Sequence, residues 1–285
     1  MIDIKTKEEI TIMREGGKKL WSVLRKLLLE STVGVSLQTL EDHAQNYIKE
    51  EGAVPSFSTV KGYQWATCLC INDEVVHGIP SPYILQEGDV LTIDIGLIYK
   101  GFHTDTAWTK IIQNQKAKLK NQKLEHIPCL AGRQAGIKEV PIPGMESTSF
   151  EEKQRFLKIG EETLKKAISV AKAGNRVGNI SEVIEQSITD AGYSVVRSLT
   201  GHGVGKTLHE EPMIPEYLDK PLERTPLLTP GMTIAIEVIY AQGKGAIVYS
   251  RDDGWTLASK DESLTAVFEQ TIAIAEEKTF VLTGS

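Results

Sequence analysis

Asp94 and Asp105 stand eleven positions apart inside a largely apolar stretch, Val90-Leu91-Thr92-Ile93-Asp94-Ile95-Gly96-Leu97-Ile98 and then Phe102-His103-Thr104-Asp105-Thr106. The first run is β-branched and apolar, and Lys100-Gly101 is a turn signal. Phe102 to Ile111 can return as a second strand, so the stretch reads as a β-hairpin. With the turn centred near Lys100, the two aspartates fall roughly opposite each other, where cross-strand Cβ atoms are about 5 Å apart. Carboxylates that close repel each other and lose hydration beside apolar neighbours. Something positive is needed, or one of them must hold a proton. Taken alone, the hairpin also fits a bland alternative, two strand-end aspartates in water.

A second copy of the pattern changes the weighing. Thr229-Pro230-Gly231-Met232-Thr233-Ile234-Ala235-Ile236-Glu237-Val238 places Glu237 six residues after Gly231, as Asp94 stands six after Gly88. Ile precedes the acid in both. Upstream, His77-Gly78-Ile79-Pro80 is echoed by His209-Glu210-Glu211-Pro212. Two matches in the same order indicate a duplicated unit. Each half then offers a histidine and a carboxylate strand to a shared cleft.

Two further polar residues sit in apolar or glycine-rich surroundings: Glu269 in Ala266-Val267-Phe268-Glu269-Gln270-Thr271-Ile272, and His202 in Gly201-His202-Gly203. Asp94, Asp105, Glu237 and Glu269 around one cleft would carry about four negative charges, prohibitive in a partly dry site without a counter-ion. Two divalent metals neutralise that set. One histidine with four carboxylates suits Mn, Fe, Co or Zn better than a thiolate-seeking metal. A metal pair polarises a carbonyl and makes hydroxide available near neutral pH. His77 and His209 are then spare imidazoles, able to donate to a developing oxyanion or to a leaving amide nitrogen. The competing reading for each lone histidine is a satisfied core residue. The paired His-x-x-Pro settings count against it.

The surrounding elements must carry these residues. Thr6-Lys7-Glu8-Glu9 is a capping box, followed by Ile10, Met13, Gly17, Leu20, Leu24 and Leu27 at helical spacing. Ser36 can cap a second helix that Gly52 stops. Ser149 and Glu152 form another capping box, with a helix that Gly174 ends, and a further helix runs to Gly192. The order of helix, helix and strands thus recurs. That is an α+β layout, antiparallel sheet backed by helices. Residues 113–148 break the pattern. Lys116, Lys118, Lys120 and Lys123 crowd together and prolines follow, which reads as an inserted loop or excursion in a single catalytic domain spanning 1–285.

Bulk properties narrow the class. The 285 residues are 41% hydrophobic and 25% charged, ordinary for a globular protein, and the net charge of −6 argues against a general DNA binder. No apolar run reaches the roughly 18 residues of a membrane span. Met1-Ile2-Asp3-Ile4-Lys5 has no secretory hydrophobic region, so export by that route is not expected. Three cysteines make a poor disulfide framework and fit a reducing cytosol. Cys68-x-Cys70 lacks a second ligand pair nearby for structural zinc.

With those residues assembled, the sequence closely resembles the type I methionine aminopeptidases. The matching stretches are Asn72 through Pro80, Asp94 through Thr106, Gly201-His202-Gly203-Val204-Gly205, His209-Glu210-Glu211-Pro212, Asp253-Gly254-Trp255, and Ser263-Leu264-Thr265-Ala266 leading to Glu269. They cover nearly the whole chain except 113–148. The resemblance implies the pita-bread fold, with pseudo-two-fold duplicated halves and a curved antiparallel sheet backed by helices. It implies that Asp94 chelates one metal, that His202 and Glu237 bind the other, and that Asp105 and Glu269 bridge them. His209 would hydrogen-bond the scissile carbonyl, His77 would assist at the amide nitrogen, and Glu237 is also a candidate proton carrier. Tyr63, Cys68, Trp255 and Phe57 match positions that hold the methionine side chain.

The implied activity is removal of the initiator methionine from nascent chains when the second residue is small. The implied setting is cytoplasmic and the implied state a monomer. The crowded lysines read first as a solvated loop; a contact with an anionic partner such as ribosomal RNA near the exit site is the alternative. The sequence departs from the family at Val60 and Leu208, where many members place aromatic residues, at Lys61 and Gln270, which replace histidines, and at Val238, which replaces a proline. Two other readings use the same fold: an X-Pro aminopeptidase or prolidase, and a non-catalytic binding module. Non-catalytic relatives lack the metal ligands, whereas all five are present here.

Overall fold

Thr6 opens the first helix as its capping box requires. Its Oγ1 accepts from Glu9 N at 3.2 Å, and the Glu9 carboxylate accepts from Thr6 N at 2.9 Å. The computed structural model of the chain describes residues 2–114 and 148–284. The expected excursion at 113–148 therefore lies, apart from its ends, outside the described residues.

α1 (Lys7–Glu30) buries Met13, Leu20, Leu24 and Leu27, the stripe spaced at three and four. α2 (Leu37–Glu50) starts at Ser36, whose Oγ accepts from Thr39 N at 3.1 Å. Both helices pack on a sheet of β1 (Val54–Pro55), β2 (Thr67–Ile71), β4 (Val90–Tyr99) and β5 (Phe102–Ile111). In it β4 is central, with β5 along one edge and β1 and β2 along the other.

The second half repeats this plan. α3 (Phe150–Val170) and α4 (Val177–Asp190) back a sheet centred on β9 (Thr233–Ala241). Along one edge of β9 lies β12 (Thr265–Ile274), which also pairs with β13 (Thr279–Val281). Along the other lie β6 (Ser194–Val195) and β7 (Thr200–Gly203), and β8 (Glu210–Pro215) pairs with β7. β3 (Glu74–Val76), β10 (Ile247–Tyr249) and β11 (Leu257–Ser259) form a small third sheet. Each central strand is entered through a left-handed glycine, Gly88 at φ 91° and Gly231 at φ 94°. The acid is the fifth residue of each strand.

Each helix pair and its sheet encloses a core. One is built on Leu20, Leu24, Leu40, Leu69 and Ile93, the other on Phe156, Leu164, Ile184, Ile236 and Phe268. Trp108 packs on both cores, edge-on to Trp21 at 5.8 Å and to Phe268 at 5.1 Å.

Threonine side chains stitch β5 to β12 where no backbone ladder runs between them. Thr106 Oγ1 donates to Glu269 O at 2.8 Å, Thr109 Oγ1 to Val267 O at 2.7 Å, and Thr271 Oγ1 to Asp105 O at 2.7 Å. This seam brings the carboxylates of the two halves together.

Candidate active site

The hairpin register corrects the expected pairing of the two aspartates. Tyr99 pairs with Phe102 across a two-residue turn, so Asp94 faces Ala107 and Asp105 faces Gly96. Asp94 and Asp105 are diagonal neighbours on one face, not opposite partners. The reason is the turn centre: Lys100 and Gly101 both take positive φ, at 48° and 84°, as a two-residue turn of this kind requires. In the second half Glu237 and Glu269 do face each other, across β9 and β12.

All eleven residues singled out from the sequence, Asp94, Asp105, His202, Glu237, Glu269, His77, His209, Phe57, Tyr63, Cys68 and Trp255, line one cavity of about 350 Å³. Val60 and Leu208 line it too. Val76, Ser198, Leu199, Thr200, Met213 and Ile239 complete the wall, and the sequence reading did not select them. Val76 and Ile239 neighbour chosen residues on strands, which was their one available signal. Gln270 points elsewhere, since strand alternation turns it away from Glu269 and its Nε2 donates to Thr283 O at 3.1 Å. Val238 is likewise turned into the second core, and Lys61 is exposed.

The floor of the cavity is a carboxylate cluster. Burial pushes the Asp94 carboxyl up to about 7. Asp105 is raised well above its ordinary range by burial, then by the charges of Asp94 and Glu237. Burial also raises Glu237 and Glu269, and the neighbouring acids add to it. His202 Nδ1 donates to Gly203 O at 2.8 Å, which leaves the Nε2 lone pair free, 3.6 Å from Glu237 Oε1. Burial first, and then His209, lowers the His202 imidazolium to about 4, so the ring is neutral at pH 7.

Two buried carboxylate oxygens, Asp94 Oδ1 and Glu269 Oε1, have no hydrogen-bond partner, and Asp105, His202 and Glu269 present ligand atoms within 4.8 Å of one another. Stacked carboxyls, a neutral imidazole with a free lone pair and orphaned oxygens fit divalent cations of the oxygen- and nitrogen-seeking kind.

The two other histidines stand at the rim. His209 meets His202 edge-on with ring centroids 4.5 Å apart, and burial lowers its imidazolium. His77 has a left-handed backbone at φ 59°, an uncommon setting that often marks functional positions. Its ring stands edge-on to Trp255 at 6.4 Å. Burial, then His209, lowers its imidazolium as well.

Beyond the carboxylates the wall turns apolar. Phe57, Tyr63, Cys68 and Leu208 form one buried cluster, with Val60 and Trp255 against it. Tyr63 donates to Thr67 O at 2.8 Å and stands edge-on to Trp255 at 5.1 Å. α2 anchors this wall from below. The fully buried Glu41 carboxylate accepts from Ala66 N at 2.7 Å and Thr67 N at 3.0 Å, at the start of the strand that carries Cys68 opposite Asp94. The Thr67 hydroxyl and Gln45 Nε2 donate to it as well, at 2.6 and 2.7 Å; no sequence signal marked Glu41, because the amides and hydroxyl it holds on the strand lie 25 and 26 residues away.

The sequence matches metallopeptidase family M24 over residues 11–150 and 145–276. The chain belongs to this family. It is 35% identical to methionine aminopeptidase 1 of Bacillus subtilis over 99% of both chains. Its fold superposes on the methionine aminopeptidase of Thermotoga maritima with a TM-score of 0.82 at 32% identity, covering 100% of both chains. The prolidase of Pyrococcus furiosus shares the fold at a TM-score of 0.69 and 22% identity, and this chain covers 65% of it. The pita-bread fold expected from the resemblance is thus the fold of this M24 chain. No described helix is long and apolar enough to cross a membrane.

Proposed function

We propose that this chain is a methionine aminopeptidase that removes the initiator methionine from new polypeptides when the second residue is small. One observation carries the reading. A buried cluster of four carboxylates and a neutral imidazole opens directly onto an aromatic-edged apolar slot in the same cavity. Methionine, unbranched and polarizable, suits such a slot, with sulfur near ring edges. The full-length similarity to proteins named methionine aminopeptidase supports it over the X-Pro reading.

In this proposal Asp94, Asp105, His202, Glu237 and Glu269 would hold two divalent ions at the floor of the cavity. Such ions supply Lewis-acid polarisation and lower the pKa of water. The chain's own residues do the rest. The slot of Phe57, Tyr63, Cys68 and Trp255 holds the methionine side chain and excludes water. His209, whose imidazolium is disfavoured by partial burial, donates to the carbonyl oxygen as charge builds there. His77 serves the amide nitrogen, and Glu237 carries a proton between water and the leaving amine.

The setting we propose is cytoplasmic and monomeric, with nascent chains as partners. The lysines of 113–148 are proposed to touch ribosomal RNA. Salt-sensitive ribosome co-sedimentation that survives deletion of 113–148 removes that contact. The test of the activity is Met-Ala-Ser hydrolysis by metal-free protein reloaded separately with Mn, Fe, Co and Zn. At least one metal restores cleavage. Full activity after verified metal removal, or no cleavage with any of the four, overturns the reading.

A further inference from the structure

We propose that Lys5 is a positioning residue for His209, acting through a buried ion pair with Glu210. The inference rests on the reading of His209 as donor to the scissile carbonyl. The Lys5 side chain is 1% exposed, and a lysine is almost never that buried unless paired. Its Nζ ion-pairs with the Glu210 carboxylate, donates to Asp3 O at 3.3 Å and lies 3.8 Å from the Asp3 carboxylate. Lys5 N donates to Gly231 O at 2.8 Å, which fixes the N-terminal arm beside the entry to β9.

The other Glu210 oxygen accepts from Thr207 N at 3.1 Å, and Thr207 Oγ1 donates to His209 O at 3.1 Å. The Glu210 carboxylate therefore holds the turn between β7 and β8 from inside. That turn, residues 204–209, links the strand that carries His202 to His209 and carries Leu208 into the pocket. A Cβ at Gly205 would overlap Lys5 Cε and lie 2.7 Å from its Nζ, so glycine there admits the ammonium. A separate tie from α1 to the turn, Lys206 to Glu9 at 3.4 Å, is a surface pair and contributes little. Lys5 does not line the cavity, so it acts on substrate only through what it holds. A donor in the wrong place by a fraction of an ångström loses most of its effect on the transition state.

The test is a double-mutant cycle. Lys5→Met and Lys5→Arg are made in wild-type and His209→Ala backgrounds, with kcat and KM for Met-Ala-Ser, metal per chain and Tm measured for each. Lys5→Met is expected to lower kcat about 10- to 10²-fold at near-constant KM and full metal content. Lys5→Arg recovers most of the loss. In the His209→Ala background Lys5→Met costs less than about 2-fold, because both changes disable one unit. If Lys5→Met does not fold, the charge-neutral pair Lys5→Met/Glu210→Gln goes through the same cycle with the same expectations. A loss that persists undiminished without His209, or that tracks metal loss or unfolded fraction, overturns the role of Lys5. A His209→Ala protein as active as wild type overturns the reading of the site and this inference with it. That outcome differs from a failure of Lys5 alone, in which His209→Ala is impaired.

Discussion

Removing the His209 imidazole separates one hydrogen-bond donor from the carboxylate cluster. His209→Ala is expected to lower kcat by about 10²-fold or more, the scale of losing one donor to a developing oxyanion. Metal content stays at the wild-type level; a variant that loses metal as well makes His209 a ligand and removes the donor assignment. The pocket offers a second residue-level test. Leu208 is 6% exposed and packs with Phe57, Tyr63 and Cys68, so a ring at that position narrows the slot. Leu208→Phe should raise the kcat/KM ratio of Met-Ala-Ser over Leu-Ala-Ser, within the roughly 1–3 kcal/mol that one methylene is worth in such a pocket. An unchanged ratio means Leu208 does not shape selection. The residues that gather in the cavity were legible because acids inside β-branched runs and a histidine between glycines are costly patterns with few explanations. The residues that hold them were not. Glu41, Thr106 and Thr271 hold atoms of distant segments, backbone atoms above all, and a one-dimensional reading has no access to those partners.

Among the elements, the two halves share a packing device. Gly16 on α1 faces Tyr99, and Gly160 on α3 faces Tyr240. A Cβ at Gly16 would lie 3.0 Å from Tyr99 Cβ, and one at Gly160 would lie 2.6 Å from Phe268 Cδ2 and from Tyr240 Cε1. Tyr240 cannot yield easily. It is fully buried, and its hydroxyl donates to Phe156 O at 2.6 Å. Gly160→Ala is therefore expected to destabilise by about 1–3 kcal/mol through overpacking, despite the better helix propensity of alanine. Urea or thermal unfolding reads this directly, and a variant as stable as wild type shows that the helix can slide on its sheet. The capping boxes at Thr6 and Ser149 were legible because local spacing alone defines them. The hairpin was legible as a hairpin, but its register was misplaced by one diagonal step. A turn residue identifies a turn more readily than it fixes its centre, and a two-residue turn sets a single pairing.

The molecule as a whole ties its two halves together through a carboxylate cluster that is unfavourable when ionised and uncompensated. Asp105, Glu237 and Glu269 hold their protons well above the ordinary carboxylate range, and Asp94 holds its proton up to about 7, each chiefly because of burial. In an unfolded chain these groups have ionised by about pH 5. Between that point and the folded values, the metal-free native protein binds more protons than the unfolded one, so its stability falls as pH rises. The histidines act in the opposite sense but elsewhere. His77, His202 and His209 are depressed, so they lower stability only as pH drops below about 6.5, where the unfolded chain takes up their protons. From pH 7 to 8.5 they are neutral in both states and drop out. On the proposed reading, divalent cations bind the ionised carboxylates and displace those protons, which costs less as pH rises. The Tm of metal-free protein is thus expected to fall from pH 7 to 8.5, while the loaded protein stays flatter and the gap between them widens. Differential scanning fluorimetry with and without a chelator measures that gap. A gap constant with pH would mean that the cluster titrates alike in folded and unfolded chains. The four carboxylates would then not be the groups that cations discharge at the junction of the two halves.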